Sequence, residues 1–340
     1  MMKKDKTILR SKPRLPLFAW AVLLFFLSMS STVQAQRPKV GLVLGGGGAK
    51  GAAEVGVLQV LEELNVPIDY IAGTSIGAIV GGLYATGYRA AELDSLFRHQ
   101  EWFSLLTDRR DDLSTVPYKD EGETVYVFGF PMLNKGEGIF DKGGLLRGQQ
   151  VEAMLDSLMG MRGINEMEHL DIPFRCVAFD MKTAAEVVFS EGSPAVAMRA
   201  SMAIPGCFRP VKIDDMTLLD GGMINNLPVD VVRRMGADIV IAVDLQQKQH
   251  KPQPARQKET LVDYIGDMLK ISPMVSWAVN RPDRQRYEEN KKLCDIYIHP
   301  AITDDDTMSF QDKSIARMIQ LGREAALQHR EELLLIQKND

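Results

Sequence analysis

Apolar residues recur along the chain in short unbroken runs that end at glycines. Such runs cover residues 39–45, 68–72 and 238–244, and each has a helical pattern close to it. Runs of this kind without polar alternation are typical of strands buried on both faces, as in a parallel sheet between helices. The pattern predicts an α/β fold with a mainly parallel central sheet flanked by helices.

The helices are predicted from apolar residues at helical spacing. After the first run, Val55, Leu58, Leu61 and Leu64 define an amphipathic helix. Further helices are expected at 78–87, 89–101, 149–159 and 195–202, and further strands at 174–180, 185–190, 216–220 and 296–298. Segment 102–148 has an irregular, charged pattern, and we interpret it as a flap over a functional site.

The first candidate for chemistry is Ser75, within the sequence Gly73-Thr-Ser-Ile-Gly77. It falls where the run 68–72 meets the predicted helix 78–87. A corner between strand and helix projects a serine hydroxyl above the sheet edge, and the flanking glycines leave room for the tight turn. A serine also needs a positioned base before it acts as a nucleophile. Ser75 is therefore a candidate nucleophile, supported by Gly73 and Gly77.

A glycine run at 45–51 follows the first predicted strand. A P-loop would require Ser or Thr after Lys50, but Gly51 stands there. A dinucleotide-binding fingerprint fits the glycine spacing and needs an acidic residue about 20 positions on, near the end of the second strand. Asp69 has roughly that offset but falls at the start of that strand.

A third interpretation of the glycine run is an oxyanion hole. Bare glycine amides at the start of a helix present N–H groups to an anion. Because this loop and the Ser75 corner follow successive strands, we expect them to lie side by side at one edge of the sheet. The candidate donors are the amides of Gly46, Gly47 and Gly48.

Asp220 is the candidate base. Apolar residues at 216–219 lead to it, and Gly221 and Gly222 turn the chain directly afterwards. The histidines are His99, His169, His250, His299 and His329, and none follows a predicted strand beside a glycine turn. A catalytic triad with His299 as its base stays open as an alternative.

Taken together, the motifs G-G-G-G-A-K-G, G-T-S-I-G and D-G-G resemble those of the patatin-like phospholipase family, over about 39–244. The resemblance implies a three-layer α/β sandwich. It also implies a dyad of Ser75 and Asp220, a glycine loop with Lys50 and Gly51 as the oxyanion hole, and no metal or cofactor. The implied activity is hydrolysis of fatty acyl esters of phospholipids or lysolipids, as in secreted bacterial members.

Glu54 departs from that pattern, because relatives often have histidine at this position. Lys50 and Glu54 are four residues apart, and we expect an ion pair between them on one helix face. A lipid-binding module without catalytic activity is an alternative to the enzyme.

The first 35 residues have a different composition from the rest. Six Lys or Arg residues precede an apolar stretch at 17–29 and a small-residue site at 33–35, a pattern typical of a secretory signal peptide. We expect a signal peptide at 1–35, a catalytic domain at 36–247, and a linker with a mostly helical C-terminal part at 248–340. The protein would then be exported to the periplasm, the cell envelope or the medium.

Charge limits the partners. The formal net charge is −5, and the predicted signal carries +5, which leaves −10 on the remainder. Such a surface does not attract nucleic acid or anionic lipid through its overall field. We expect a phospholipid or lysolipid substrate at a membrane surface through local contacts and no nucleic acid, and a homodimer is a candidate assembly. Cys176, Cys207 and Cys294 lack metal-ligand spacing, and their redox state is left open.

Overall fold

The computed structural model describes residues 37–108, 144–246, 284–302 and 310–337. The predicted signal peptide, most of the predicted flap and the start of the predicted linker lie outside the described residues.

The strands of these ranges form a central sheet and a small second sheet. They are β1 (Val40–Leu44), β2 (Tyr70–Thr74), β3 (Gly144–Leu146), β4 (Phe174–Asp180), β5 (Ala185–Phe189), β6 (Gly206–Phe208), β7 (Val211–Ile213), β8 (Met216–Asp220), β9 (Ile239–Val243) and β10 (Ile296–Ile298). The central sheet has the order β10-β9-β1-β2-β4-β8-β7, and β5 pairs with β4 off this path. Strands β3 and β6 form the second sheet.

The direction of the strands changes at β4. Neighbours from β10 to β4 are parallel, whereas β5 and β8 run antiparallel to β4 and β7 runs antiparallel to β8. The predicted α/β class with a mainly parallel sheet is confirmed, and the antiparallel strands are confined to one side of it.

Helices cover both faces of the sheet. They are α1 (Ala52–Glu63), α2 (Ile76–Ala85), α3 (Ala90–His99), α4 (Trp102–Leu106), α5 (Gln149–Met161), α6 (Pro194–Ser201), α7 (Val229–Met235), α8 (Arg284–Leu293), α9 (Asp312–Gln328) and α10 (Arg330–Gln337). Short 3₁₀ turns at Gly48–Gly51, Met167–His169 and Gly221–Met223 complete the described elements. Within the described ranges, no helix combines the length and the apolar character needed to cross a bilayer.

Two apolar cores lie on opposite faces of the central strands. Leu42 and Leu44 belong to the larger core, which includes residues of α1, α2, α5 and α9. Val43, between them in sequence, belongs to the smaller core under α7. Successive side chains of a strand point to opposite faces, so a strand buried on both faces needs apolar residues at every position. This explains the unbroken apolar runs in the sequence.

Helix α9 packs directly on α1 through glycines. A Cβ atom built on Gly56 would lie 2.0 Å from the carbonyl oxygen of Ile319, and one on Gly322 would lie 1.9 Å from that of Ala53. The two helix backbones are therefore in contact, and no larger residue fits at either position without a shift. Helix α9 thus supports α1, which follows the glycine loop.

The three cysteines are free thiols. Cys176 is fully buried in β4, as expected for a core residue. Cys207 is also buried, and burial raises the pKa of its thiol to about 12. The two buried thiols are therefore protonated and weakly reactive at neutral pH.

Candidate active site

The ends of β2 and β8 meet on one edge of β4. Strand β2 runs parallel to β4 and ends with Thr74 paired to Val177. Strand β8 approaches from the opposite direction and ends with Asp220 paired to Ala178, the next residue of β4. Because β5 occupies the other edge of β4, both strands share this one. Ser75, directly after Thr74, is thereby brought to Asp220.

Ser75 and Asp220 are joined by a hydrogen bond in a buried setting. The Oγ atom of Ser75 donates to Oδ2 of Asp220 at 2.7 Å, and the amide of Gly222 donates to Oδ1 at 2.7 Å. Each of the two side chains belongs to a residue that is only 6% exposed. Burial raises the pKa of Asp220 to about 6, although both hydrogen bonds lower it. Asp220 is therefore mostly ionised at pH 7 and is a stronger base than an ordinary aspartate.

The backbone of Ser75 is held in a strained conformation at the start of α2. Its φ is 57° and its ψ is −123°, a combination that side chains disfavour. The amide of Ser75 donates to Oγ of Ser201 at 2.9 Å, and that hydroxyl donates to the carbonyl of Val177 at 2.6 Å. Ser201 was not predicted as a site residue, and its only sequence signal is a hydroxyl in an apolar helical pattern.

The glycine loop lies against Ser75. A Cβ atom built on Gly46 would lie 3.1 Å from Cβ of Ser75 and 2.4 Å from Oδ1 of Asn226. Only glycine allows this approach. Asn226, which sequence reasoning missed, lies four residues after Gly222 and contacts the loop from the turn that follows Asp220.

The predicted amide donors differ in availability. The amide of Gly46 donates to the carbonyl of Asn226 at 3.2 Å, so it is already engaged. The amides of Gly47 and Gly48 form no hydrogen bond with any described residue, and both glycines are partly exposed. Of the three predicted donors, these two have N–H groups available to a ligand.

The remaining predicted glycines lie where two backbones or a backbone and a side chain approach closely. At Gly51, a built Cβ would lie 2.2 Å from Cγ1 of Ile76. At Gly73 and Gly77, it would lie 2.3 Å from the carbonyl oxygens of Gly77 and Leu44, respectively. At Gly221, it would lie 2.2 Å from the carbonyl oxygen of Val177. These contacts hold the three corners together, as expected for residues that support the motifs.

The sequence profile described as Patatin-like phospholipase matches residues 42–233, a segment that includes the glycine loop, Ser75 and Asp220. The chain belongs to the patatin-like phospholipase family. Over 236 residues it is 33% identical to an uncharacterized NTE family protein of Mycobacterium bovis, covering 69% of this chain and 57% of that protein.

A second relative of this patatin-like protein is Patatin-like phospholipase domain-containing protein 6 of Homo sapiens. It is 33% identical over 232 residues, which cover 68% of this chain and 14% of the human protein. This chain thus spans just over half of the mycobacterial relative and a small part of the human one. Among solved structures, VipD from Legionella pneumophila matches with a TM-score of 0.46 at 16% identity, covering 88% of this chain and 67% of VipD.

Glu54 of this patatin-like protein is buried without an ion-pair partner among the described residues, and the nearby backbone of Gly45 offsets the effect of burial on its pKa only in part. It has no exposed surface, and neither of its carboxylate oxygens has a hydrogen-bond partner among the described residues. Burial raises the pKa of Glu54 well above its usual value. The predicted ion pair with Lys50 is therefore wrong. Lys50 belongs to the 3₁₀ turn Gly48–Gly51, so the two residues do not share one α-helical face.

Asp69 lies at the opposite end of β1 from the glycine loop. Its carboxylate accepts hydrogen bonds from the amide of Val40 at 2.8 Å and from Nζ of Lys39 at 3.0 Å. It ties the amino ends of β1 and β2 together. This placement does not fit the ribose contact of a dinucleotide-binding fingerprint.

The histidine alternative receives no support from the described residues. Nε2 of His299 lies 2.6 Å from the carbonyl of Gln246, and its ring stacks on Tyr297. His99 contacts Ser95, and His329 contacts Glu332. No described histidine is hydrogen-bonded to Ser75. His250 lies outside the described residues.

The turn after Asp220 is anchored by the C-terminal part. Thr74 donates its hydroxyl to the carbonyl of Asn225 at 2.8 Å. From α8, Nδ2 of Asn290 donates to Oδ1 of Asn225 and to the carbonyl of Leu227, both at 2.9 Å. Helix α8 therefore fixes the segment that follows Asp220, a role that the sequence pattern did not reveal.

Proposed function

We propose that this protein is a serine acyl hydrolase that cleaves fatty acyl esters of phospholipids or lysolipids. Ser75 acts as the nucleophile and Asp220 as the base. The observation that carries the proposal is the 2.7 Å hydrogen bond between Oγ of Ser75 and Oδ2 of Asp220. Membership of the patatin-like phospholipase family supports a lipid ester as the substrate.

In the acylation step, Oγ of Ser75 attacks the ester carbonyl carbon while its proton passes to Asp220. A base with a pKa of about 6 holds that proton better than an ordinary aspartate does. Asp220 then returns the proton to the leaving alcohol as the tetrahedral intermediate collapses. The products of this step are the free alcohol and an acyl ester on Ser75.

In the deacylation step, a water molecule takes the place of the alcohol. Asp220 accepts a proton from this water, which attacks the acyl ester, and the proton then returns to Oγ of Ser75. The free fatty acid leaves. The same carboxylate thus serves both half-reactions, and no histidine is required.

The negative charge of each tetrahedral intermediate falls beside the glycine loop. The unengaged amides of Gly47 and Gly48 are the donors that we assign to it. Loss of one such donor in other acyl-transfer enzymes raises the barrier by roughly 2.7–4 kcal/mol. The amide of Gly46 keeps the loop in place instead, because it is bound to Asn226.

The test compares the wild type with S75A and D220N, using S157A on the exposed face of α5 as a matched control. Fatty acid released from phosphatidylglycerol and from lysophosphatidylcholine is measured by mass spectrometry. Labelling by a fluorophosphonate is measured in parallel. We expect S75A to lose both activity and labelling. We expect D220N to fall to about 1% of wild type or below, and S157A to match the wild type.

Full activity of S75A or D220N would contradict the proposal. A folded wild type that neither hydrolyses lipid nor reacts with the fluorophosphonate would favour the inactive lipid-binding module. Loss of activity in H299A together with an active D220N would favour the triad.

The proposed site of action is the cell envelope or the medium, on the basis of residues 1–35. N-terminal sequencing of the expressed protein tests this, with cleavage after Ala35 as the expected result. A homodimer remains a prediction, and light scattering of the purified protein tests it.

A further inference from the structure

A cavity of about 320 Å³ lies beside the start of α5 and is lined by three arginines, Arg147, Arg199 and Arg209. Among the described lining residues, Glu152 is the one carboxylate, and those other than Glu152 and the arginines are uncharged. The charged side chains therefore sum to a formal charge of +2. Neither Ser75 nor the glycine loop is part of this lining.

Arg199 is the most buried of the three arginines, with 2% of the residue exposed. Its Nη2 atom donates to the carbonyl of Arg147 at 2.6 Å and to that of Arg209 at 3.1 Å, and its Nε donates to that of Gly148 at 3.2 Å. These bonds fix the guanidinium group in one orientation. The carbonyls are uncharged, so the positive charge of Arg199 is not neutralised by them.

Two arginine nitrogen atoms of the cavity lining have no hydrogen-bond partner among the described residues. Nη1 of Arg199 and Nε of Arg209 are buried, and neither has a hydrogen-bond acceptor among the described residues. The ion pairs of the described residues involve other arginines, such as Arg162, Arg233 and Arg286. No carboxylate is hydrogen-bonded to Arg199 among the described residues. Burial lowers the pKa of Arg199, and the negative charges of Glu152 and Asp108 offset this effect only in part.

An anion in the cavity would supply the missing acceptors. Nη1 of Arg199 and Nε of Arg209 are charged N–H donors, and such donors form strong hydrogen bonds to phosphate oxygens, for which arginine is the residue of choice. The cavity has the size of the smallest ligand pockets, roughly 300 Å³. It accommodates a small phosphate-bearing group and not a whole lipid. We propose that this cavity binds a phosphate group through Arg199 and Arg209, with the exposed Arg147 at its rim.

Helix α6 separates this site from the proposed nucleophile. Arg199 and Ser201 are two positions apart, so their side chains leave the helix in roughly opposite directions, about 200° apart. Ser201 contacts the backbone of Ser75, whereas Arg199 faces the cavity. The phosphate site is therefore a second site, and its existence does not depend on the proposed hydrolysis.

The first experiment measures binding of inorganic phosphate to the full chain carrying S75A. The variants are R147Q/R209Q, which removes two charges while Arg199 keeps its three carbonyl bonds, and R330Q, which removes an exposed charge on α10. Phosphate about 100-fold above its Kd is expected to raise the Tm of the S75A protein and of R330Q by about 5 °C. The double variant is expected to lose this shift. Sodium chloride at equal ionic strength controls for screening.

The second experiment distinguishes a lipid from a soluble source of the phosphate. Co-sedimentation is measured with vesicles of phosphatidylcholine alone and with phosphatidylcholine containing phosphatidic acid. If the phosphate comes from a lipid, the protein binds only the vesicles that contain phosphatidic acid. R147Q/R209Q then binds these vesicles at least about tenfold more weakly than R330Q does. A soluble source predicts a response to inorganic phosphate without vesicle binding.

Either pattern supports the site. The proposal is overturned if neither phosphate nor phosphatidic acid vesicles bind, or if the double variant binds them as R330Q does. Circular dichroism checks that each variant is folded. If the double variant does not fold, the single variant R147Q at the exposed rim decides instead, and binding equal to that of R330Q overturns the proposal.

Discussion

Asn226 and Gly46 exchange two hydrogen bonds. Nδ2 of Asn226 donates to the carbonyl of Gly46 at 3.0 Å, and the amide of Gly46 donates to the carbonyl of Asn226 at 3.2 Å. One residue lies in the glycine loop and the other follows the turn after Asp220. This pair therefore links the proposed oxyanion donors to the proposed base, and the positions of the two are not independent.

Replacing Asn226 with alanine removes the side-chain half of this link. We expect kcat/KM on a soluble acyl ester to fall by about 10- to 100-fold, because a loop displaced by about 1 Å no longer places its donors correctly. N165A, at an exposed asparagine, is the control and is expected to keep wild-type activity. Unchanged kinetics in N226A would show that the loop is held in place without this side chain.

The pKa of Asp220 predicts the pH dependence of the reaction. The base must be ionised, so a pKa of about 6 predicts that kcat/KM is constant above about pH 7. Below pH 6, kcat/KM should fall about tenfold for each pH unit, because the ionised fraction falls by that factor. The check is a profile from pH 4.5 to 8, with the fluorophosphonate labelling rate following the same curve. A midpoint near pH 4 would contradict the assignment of a buried, raised carboxylate as the base.

The same burial predicts that D220N is more stable than the wild type. The folded-state pKa of Asp220 is about 6 and its usual value is 3.8, so the wild type loses stability as the pH rises between these values. A difference of about 2 units corresponds to at most about 3 kcal/mol at pH 7. Asparagine has only one oxygen to accept the bonds from Ser75 and Gly222, which reduces the gain. We therefore expect D220N to unfold with a free energy about 1–3 kcal/mol higher than that of the wild type at pH 7.

Chemical denaturation at pH 7 and pH 4 measures this effect. The gain should shrink at pH 4, where Asp220 of the folded wild type is protonated. D156N, at an exposed position of α5, is the control and should change stability little at either pH. A D220N protein less stable than the wild type at pH 7 would contradict the prediction.

Glu54 predicts a second pH effect on stability. Its pKa in the folded protein is raised well above the usual value by burial, so the wild type loses stability as the pH rises towards that raised value. E54Q carries no titrating group there. The free energy of unfolding of E54Q minus that of the wild type should therefore increase from pH 5 to pH 9. Exposed E168Q serves as the control, and equal pH dependence of E54Q and E168Q would refute the buried protonated state.

The motifs were predictable because their signals are local. Ser75 and Asp220 each come after an apolar run and have glycines close by in the sequence. A junction of this kind can be recognised from a segment of about ten residues. The apolar continuity of β1 and β9 likewise reports burial on both faces. These signals were sufficient for the class of fold and for the two residues that the structure joins.

The supporting contacts were not predictable, since they depend on distant parts of the chain. Ser201 is 126 positions from its partner Ser75, and Asn226 is 180 positions from Gly46. Strands β3, β6 and β7 have three residues each, too few for a periodicity to identify them consistently, although β10, of the same length, was predicted. The antiparallel approach of β8 also has no local signal. The Lys50–Glu54 pairing failed because the i,i+4 rule holds only within one continuous helix.

The pairing of β1 with β9 affects how the protein can be divided for expression. The amide of Gly45 donates to the carbonyl of Val243, and α1 rests on α9 through Gly56 and Gly322. Both partners lie beyond residue 233, where the family match ends. A clone cut at that boundary would expose an unpaired strand edge and the apolar side of α1, and it would accumulate as inclusion bodies.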